Sequence, residues 1–125
     1  MRFFFDNNLS RQLSNGMRAF GEDSVHLLDR FPQGTPDLEW IPIVATEGLF
    51  LITRDEEIRR NPAERQALTE CKLGVFFLGG KKQNRCQLIQ QLVRNWTRIK
   101  ELAGKTRPPF AYRIPPKGTS ISRIF

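Results

Sequence analysis

Short apolar runs alternate along this chain with longer stretches in which apolar residues recur every three or four positions. Phe3–Phe5, Leu49–Thr53 and Leu73–Leu78 are continuous runs bounded by polar clusters, the pattern of strands buried on both faces. Ser24–Leu28 is predicted as a further short strand, with Val25 and Leu27 on one face. Leu9, Leu13, Met17 and Phe20 recur at helical spacing, and Gly21 is placed to stop that helix. Thr35-Pro36-Asp37 signals another helix start, which Gly48 ends; Pro42 predicts a kink or a split into two short pieces. Asn61-Pro62-Ala63-Glu64 opens a helix to about Glu70, with Asn as cap and Glu at the third position. The longest amphipathic pattern runs from Leu88 through Leu92, Trp96 and Ile99 to Leu102, ending near Gly104.

After a linker, Lys105–Pro109, the chain reads as a terminal β-hairpin: Phe110–Ile114, a turn at Pro115–Gly118, then Thr119–Ile124. Strands alternating with helices predict a three-layer α/β fold with a mainly parallel central sheet. A single domain over residues 1–125 is expected, with an α/β core at 1–104 and the linker and hairpin at 105–125. The first strand and Leu49–Thr53 are expected near the centre of the sheet.

Two of the buried runs end in aspartate. Phe3-Phe4-Phe5 leads into Asp6, and Leu51-Ile52-Thr53-Arg54 leads into Asp55. Open α/β sheets bind ligands outside the carboxyl ends of their strands, so both carboxylates are expected at one place. Asp37, opening a helix, is a third candidate. Each has a simpler structural role: Asp6 or Asp55 could cap the helix or turn that follows, and Asp37 would be stabilised by the helix dipole. Asn7, Asn8 and Ser10 are alternative caps beside Asp6. Three such carboxylates suit a hard divalent cation, Mg²⁺ or Mn²⁺.

The chain has 125 residues and a net charge of +7, and the distribution of that charge changes the picture more than its size. Residues 1–62 hold seven Arg and ten acids, a net of −3; residues 63–125 hold thirteen Lys or Arg and three acids, a net of +10. A cation cradle followed by a basic surface fits a phosphodiester substrate; the simpler reading is a basic surface that aids solubility. Arg59, Arg60, Lys81, Lys82 and Arg85, in loops or at helix starts, are the cations placed to contact such a substrate, each with a solvated charged face as its simpler reading.

The remaining residues narrow the classes. Ten Phe and a clear periodicity exclude disorder, and no apolar run approaches a membrane span. No secretory pattern opens the chain, and Cys71 and Cys86 read as free thiols of a cytoplasmic protein. One histidine, His26, and two scattered cysteines make a zinc site a poor fit. His26 reads as a satisfied core or edge imidazole, and Trp40 and Trp96 as core. Gly79-Gly80-Lys81-Lys82 follows a strand but lacks phosphate-loop spacing.

Taken in sequence, Phe-Phe-Phe-Asp6-Asn-Asn-Leu-Ser, Asp37-Leu-Glu-Trp40 and Leu-Ile-Thr53-Arg54-Asp55 resemble the PIN-domain superfamily, and most closely its small PIN-like branch, similar to the VapC-type toxins of bacterial toxin–antitoxin operons. The resemblance spans most of the chain. It implies an Mg²⁺- or Mn²⁺-dependent endoribonuclease in which Asp6, Asp37 and Asp55 are the catalytic, metal-holding acids, with Asn7, Thr53 and Glu56 around them. It also implies RNA as substrate, a cognate antitoxin as partner, and leaves a homodimer open. One feature departs from it. The larger PIN enzymes carry a further Glu on a helix between the first two aspartates, whereas this interval holds only Glu22, Asp23 and Asp29; either Glu39 or Glu56 compensates or the site is weaker. Two other functions stay open: a non-catalytic nucleic-acid- or partner-binding module, and a phosphoryl-transfer protein of the receiver or haloacid-dehalogenase kind. The latter lacks its usual acidic pair beside Asp6.

Overall fold

The computed structural model describes residues 1–125 and contains six strands and six helices. In chain order they are β1 Phe3–Phe5, α1 Arg11–Ala19, β2 Ser24–His26, α2 Leu27–Arg30, α3 Asp37–Thr46, β3 Phe50–Thr53, α4 Glu56–Arg60, α5 Pro62–Glu70, β4 Gly74–Leu78, α6 Arg85–Lys105, β5 Phe110–Ile114 and β6 Ser122–Arg123. The sheet order is β2-β1-β3-β4-β5-β6, parallel throughout except for the final β5–β6 pair. The expected α/β architecture, its central strands and its antiparallel C-terminal pair are all present.

Because side chains alternate across a strand, each central strand feeds two cores. Phe3, Phe5, Ile52, Phe76 and Phe110 face one layer, where α1 and the long α6 cover them with Met17, Leu92, Trp96 and Ile99. Phe4, Leu51, Val75 and Phe77 face the other, against Trp40, Ile41 and Val44 of α3, Ile58 of α4 and Leu68 of α5. Both layers are closed by large aromatic groups; the Phe4 and Trp40 rings, for instance, lie 5.2 Å apart. No helix is long and apolar enough to cross a membrane.

Several elements differ from the sequence-based expectation. The second strand stops at His26 rather than Leu28, because the His26 ring turns back and accepts the Leu28 N–H at 3.0 Å while Asp29 accepts the His26 N–H, a reciprocal cap that starts α2. Its other ring nitrogen lies 2.8 Å from the Leu9 carbonyl, so the buried imidazole is satisfied on both sides. Segment α3 runs through Pro42 as one helix, not two. The last strand is shorter than Thr119–Ile124: residues 119–121 form a turn closed by an Ile121 N–H to Thr119 carbonyl bond, and pairing begins only at Ser122.

Candidate active site

The three candidate aspartates come to the carboxyl end of the parallel sheet. Asp6 follows β1, Asp55 follows β3, and Asp37 opens α3. They line one open cleft of about 580 Å³ together with Asn7, Asn8 and a residue from the start of α5, Glu64.

Asp6 is the most deeply placed, only 4% exposed. Ser10, not Asp6, caps α1, so this buried carboxylate has no capping duty. Its oxygens accept the Asn7 N–H at 2.6 Å and the Thr53 hydroxyl at 2.9 Å. Burial nevertheless raises its pKa to about 6, with the Asp37 and Asp55 charges adding to the rise. Thr53 sits at the hub. While donating to Asp6, its hydroxyl accepts the Asp55 backbone N–H at 3.0 Å and the Asn8 side-chain amide at 3.3 Å. Asn8 in turn accepts the Arg54 N–H, which fastens the end of β3 to the loop after β1.

Asp55 does cap: it accepts the Glu57 N–H at 2.9 Å and starts α4. Asp37 accepts the indole N–H of buried Trp40 at 3.0 Å. Burial raises the Asp37 pKa, and the Asp55 charge adds to this. Glu64 is raised too, first by burial, then by the charges of Asp37, Asp55 and Glu57.

The site thus contains a fourth acid that sequence reasoning assigned elsewhere. Glu64 reads as half of a capping box, and that reading occupies its carboxylate. In the structure Asn61 accepts both the Ala63 and Glu64 N–H groups, but its own N–H bonds to Glu57, leaving the Glu64 side chain free to face the cleft. The fourth acid of the cleft thus comes from α5, after Asp55 in the chain, and not from a helix between Asp6 and Asp37. Glu39 is exposed and does not line the cleft, and Glu56 is paired with Arg59 instead.

The basic candidates divide. Arg59 is held by Glu56 and Arg60 is exposed on α4. Lys81 and Lys82 line a separate polar cleft beyond β4, and Arg85 borders an apolar groove between α1 and α6.

No histidine or cysteine lines the acidic cleft; the side-chain ligands it offers are carboxylate, amide and hydroxyl oxygens, the chemistry that Mg²⁺ and Mn²⁺ prefer. Yet no three acidic, histidine or cysteine side chains stand close enough to form a ready-made metal cage. The arrangement fits a largely hydrated ion, since Mg²⁺ keeps several waters and takes only one or two carboxylates.

A family described as a PIN-like domain matches residues 1–80, the segment that carries Asp6, Asp37, Asp55 and Glu64. The chain belongs to this PIN-like domain family. No curated protein and no solved structure matches it.

Proposed function

We propose that the chain is a divalent-metal-dependent endoribonuclease, and the toxin of a toxin–antitoxin pair. The observation that carries the nuclease reading is the convergence of four carboxylates on one cleft at the carboxyl end of the sheet. Three of them, Asp6, Asp37 and Glu64, are held above their ordinary pKa first by burial and then by neighbouring carboxylates, the Asp55 charge being common to all three. Such uncompensated mutual repulsion is what a bound cation relieves. The toxin part rests on the resemblance of Asp6-Asn7-Asn8-Leu9-Ser10 and Thr53-Arg54-Asp55 to VapC-type proteins.

Asp6, Asp37 and Asp55 would hold Mg²⁺ or Mn²⁺, partly through water; when bound, the ion supplies Lewis-acid polarisation of a phosphate oxygen and a more acidic water. The chain's own groups do the rest. Thr53 and Asn8 fix the Asp6 carboxylate and the Asp55 backbone relative to each other. Glu64, left off the metal, would in its ionised form take the proton of the attacking water and then return that proton to the leaving oxygen.

The test incubates purified protein, freed of any co-purified partner, with structured RNAs in Mg²⁺, Mn²⁺ or EDTA, and measures Mn²⁺ binding by calorimetry. Metal-dependent internal cleavage is expected, with at least 100-fold loss in Asp6→Asn and in Asp37→Asn. Asp55→Asn is expected to abolish Mn²⁺ binding. The absence of a closed metal cage favours a second reading, a PIN-like binding module without catalysis; RNA binding with no cleavage in any metal would establish that reading in place of the first.

A further inference from the structure

Beyond the acidic cleft, the same end of the sheet carries a second, cationic one. Lys81 and Lys82 follow β4, Lys117 follows β5, and Arg94 projects from α6; together with Gln83 and Gln90 they line a cleft of about 390 Å³ that contains no hydrophobic and no acidic residue. None of the four cations takes part in a salt bridge. Like charges gathered without a carboxylate among them repel, and an anion bound between them would offset that cost.

The cleft is held from beneath. Gln91, fully buried, donates its side-chain amide to the carbonyls of Gly79, Ile114 and Pro115, tying the loop after β4 to the loop after β5. The two loops touch: a Cβ on Gly80, at φ +105°, would lie 2.7 Å from the Pro116 Cβ. Arg94 donates to the Gly118 carbonyl at 3.4 Å and Asn95 reaches it at 3.5 Å, which fixes the turn bearing Lys117 over α6. The cations are therefore presented by anchored loops.

Since β1, β3, β4 and β5 are adjacent and parallel, their carboxyl ends form one row. Neighbouring strands are about 4.8 Å apart, so the two clefts are separated by on the order of 10 Å along that row, and by a step across the sheet as well, since the acidic cleft opens on the α3 and α5 side and the cationic one on the α6 side. We infer that Lys81, Lys82, Arg94 and Lys117 form a metal-independent subsite for the phosphate backbone of a single-stranded nucleic acid whose neighbouring nucleotides reach the acidic cleft. The choice of ligand rests on the nuclease reading. A protein partner fits less well, because protein interfaces are anchored by buried apolar side chains and this cleft has none. Backbone phosphates need only cations and amide donors.

The test is fluorescence anisotropy of a labelled oligouridylate in EDTA, titrated at several salt concentrations. Arg94→Ala/Lys117→Ala and Lys81→Ala/Lys82→Ala should each weaken binding at least tenfold at low salt and reduce the log–log salt slope by about 1.4, as expected for two lost phosphate contacts. Lys105→Ala/Arg107→Ala removes the same charge from the other end of α6 and should change affinity less than twofold. Circular dichroism confirms folding, and the exposed lysine pair serves as the arm that does not disturb the Gly118 anchor. Equal losses in all three variants would reduce the effect to net charge and overturn the subsite, as would competition by polyglutamate at the same charge concentration as by oligouridylate. The two proposals fail separately. Binding in EDTA that the cationic variants abolish, with no cleavage in any metal, keeps the subsite and removes the nuclease. Metal-dependent cleavage whose KM is unchanged in both cationic variants keeps the nuclease and removes the subsite.

Discussion

At position 53 a single hydroxyl accepts two N–H groups and gives its one proton to Asp6. Valine has the same shape and none of these bonds. Thr53→Val should therefore destabilise the protein by about 2 kcal/mol, read from chemical denaturation, while Thr53→Ser should restore most of it. Asp6 acts in the opposite direction. Its folded pKa, about 6, lies above the 3.8 of an ordinary aspartate. Between those pH values the unfolded chain ionises while the folded one holds its proton, so stability falls as pH rises through that window and the penalty is complete above about 6. In metal-free protein, Asp6→Asn should stabilise the fold at pH 7.5 by up to about 3 kcal/mol, read as a higher melting temperature, and give no gain at pH 3.5. A mutant less stable at both pH values would mean that Asp6 is a structural hydrogen-bond acceptor first. Asp6 and Asp55 were legible because a strand end can be found by counting apolar residues, and Asp37 because a helix start has its own signal. Glu64 was hidden because the Asn61 cap gives its carboxylate a sufficient local explanation, and only tertiary structure shows that the local bond is not made.

Among the elements, those with strong periodicity or an unmistakable cap were predicted within a residue or two. Asn61 caps α5 and Gly21 and Gly48 close α1 and α3 at positive φ, much as their sequence context required. The misses are at elements defined by side chain–backbone bonds that periodicity does not encode. The strand propensity of Ser24–Leu28 loses to the His26–Asp29 cap. His26→Val favours a longer strand but removes the cap and leaves the buried Leu9 carbonyl without its partner; a loss of about 3 kcal/mol is expected in urea denaturation. The hairpin pattern predicts strand from Thr119, but the chain pairs later, with Ile124 and Phe125 bonded to Ala111.

For the whole molecule, the matched segment 1–80 and the remainder divide the work unevenly. The segment supplies every acid of the site, but α6 and β5 lie outside it. Those two elements cover Phe3, Phe5, Ile52 and Phe76 on one side of the sheet. A chain cut after Gly80 would expose that aromatic surface, so it should be recovered as aggregate, or as a species that binds a hydrophobic dye and lacks near-ultraviolet dichroism. The charge asymmetry follows the same division, a net of −3 over residues 1–80 and +10 over residues 81–125: the first segment builds the acidic cleft, and the second supplies Lys81, Lys82, Arg94 and Lys117.

The margins of the sheet have a consequence for how copies of this chain can meet. The outermost strands, β2 and β6, are three and two residues long. An unpaired strand recruits another chain through its free backbone groups, and a margin this short offers few of them. Cross-chain extension of the sheet, the first step of amyloid-type growth, has little to grip. Self-association in solution is left to side chains on the helical layers, where Ile89 and Val93 of α6 stand exposed to solvent.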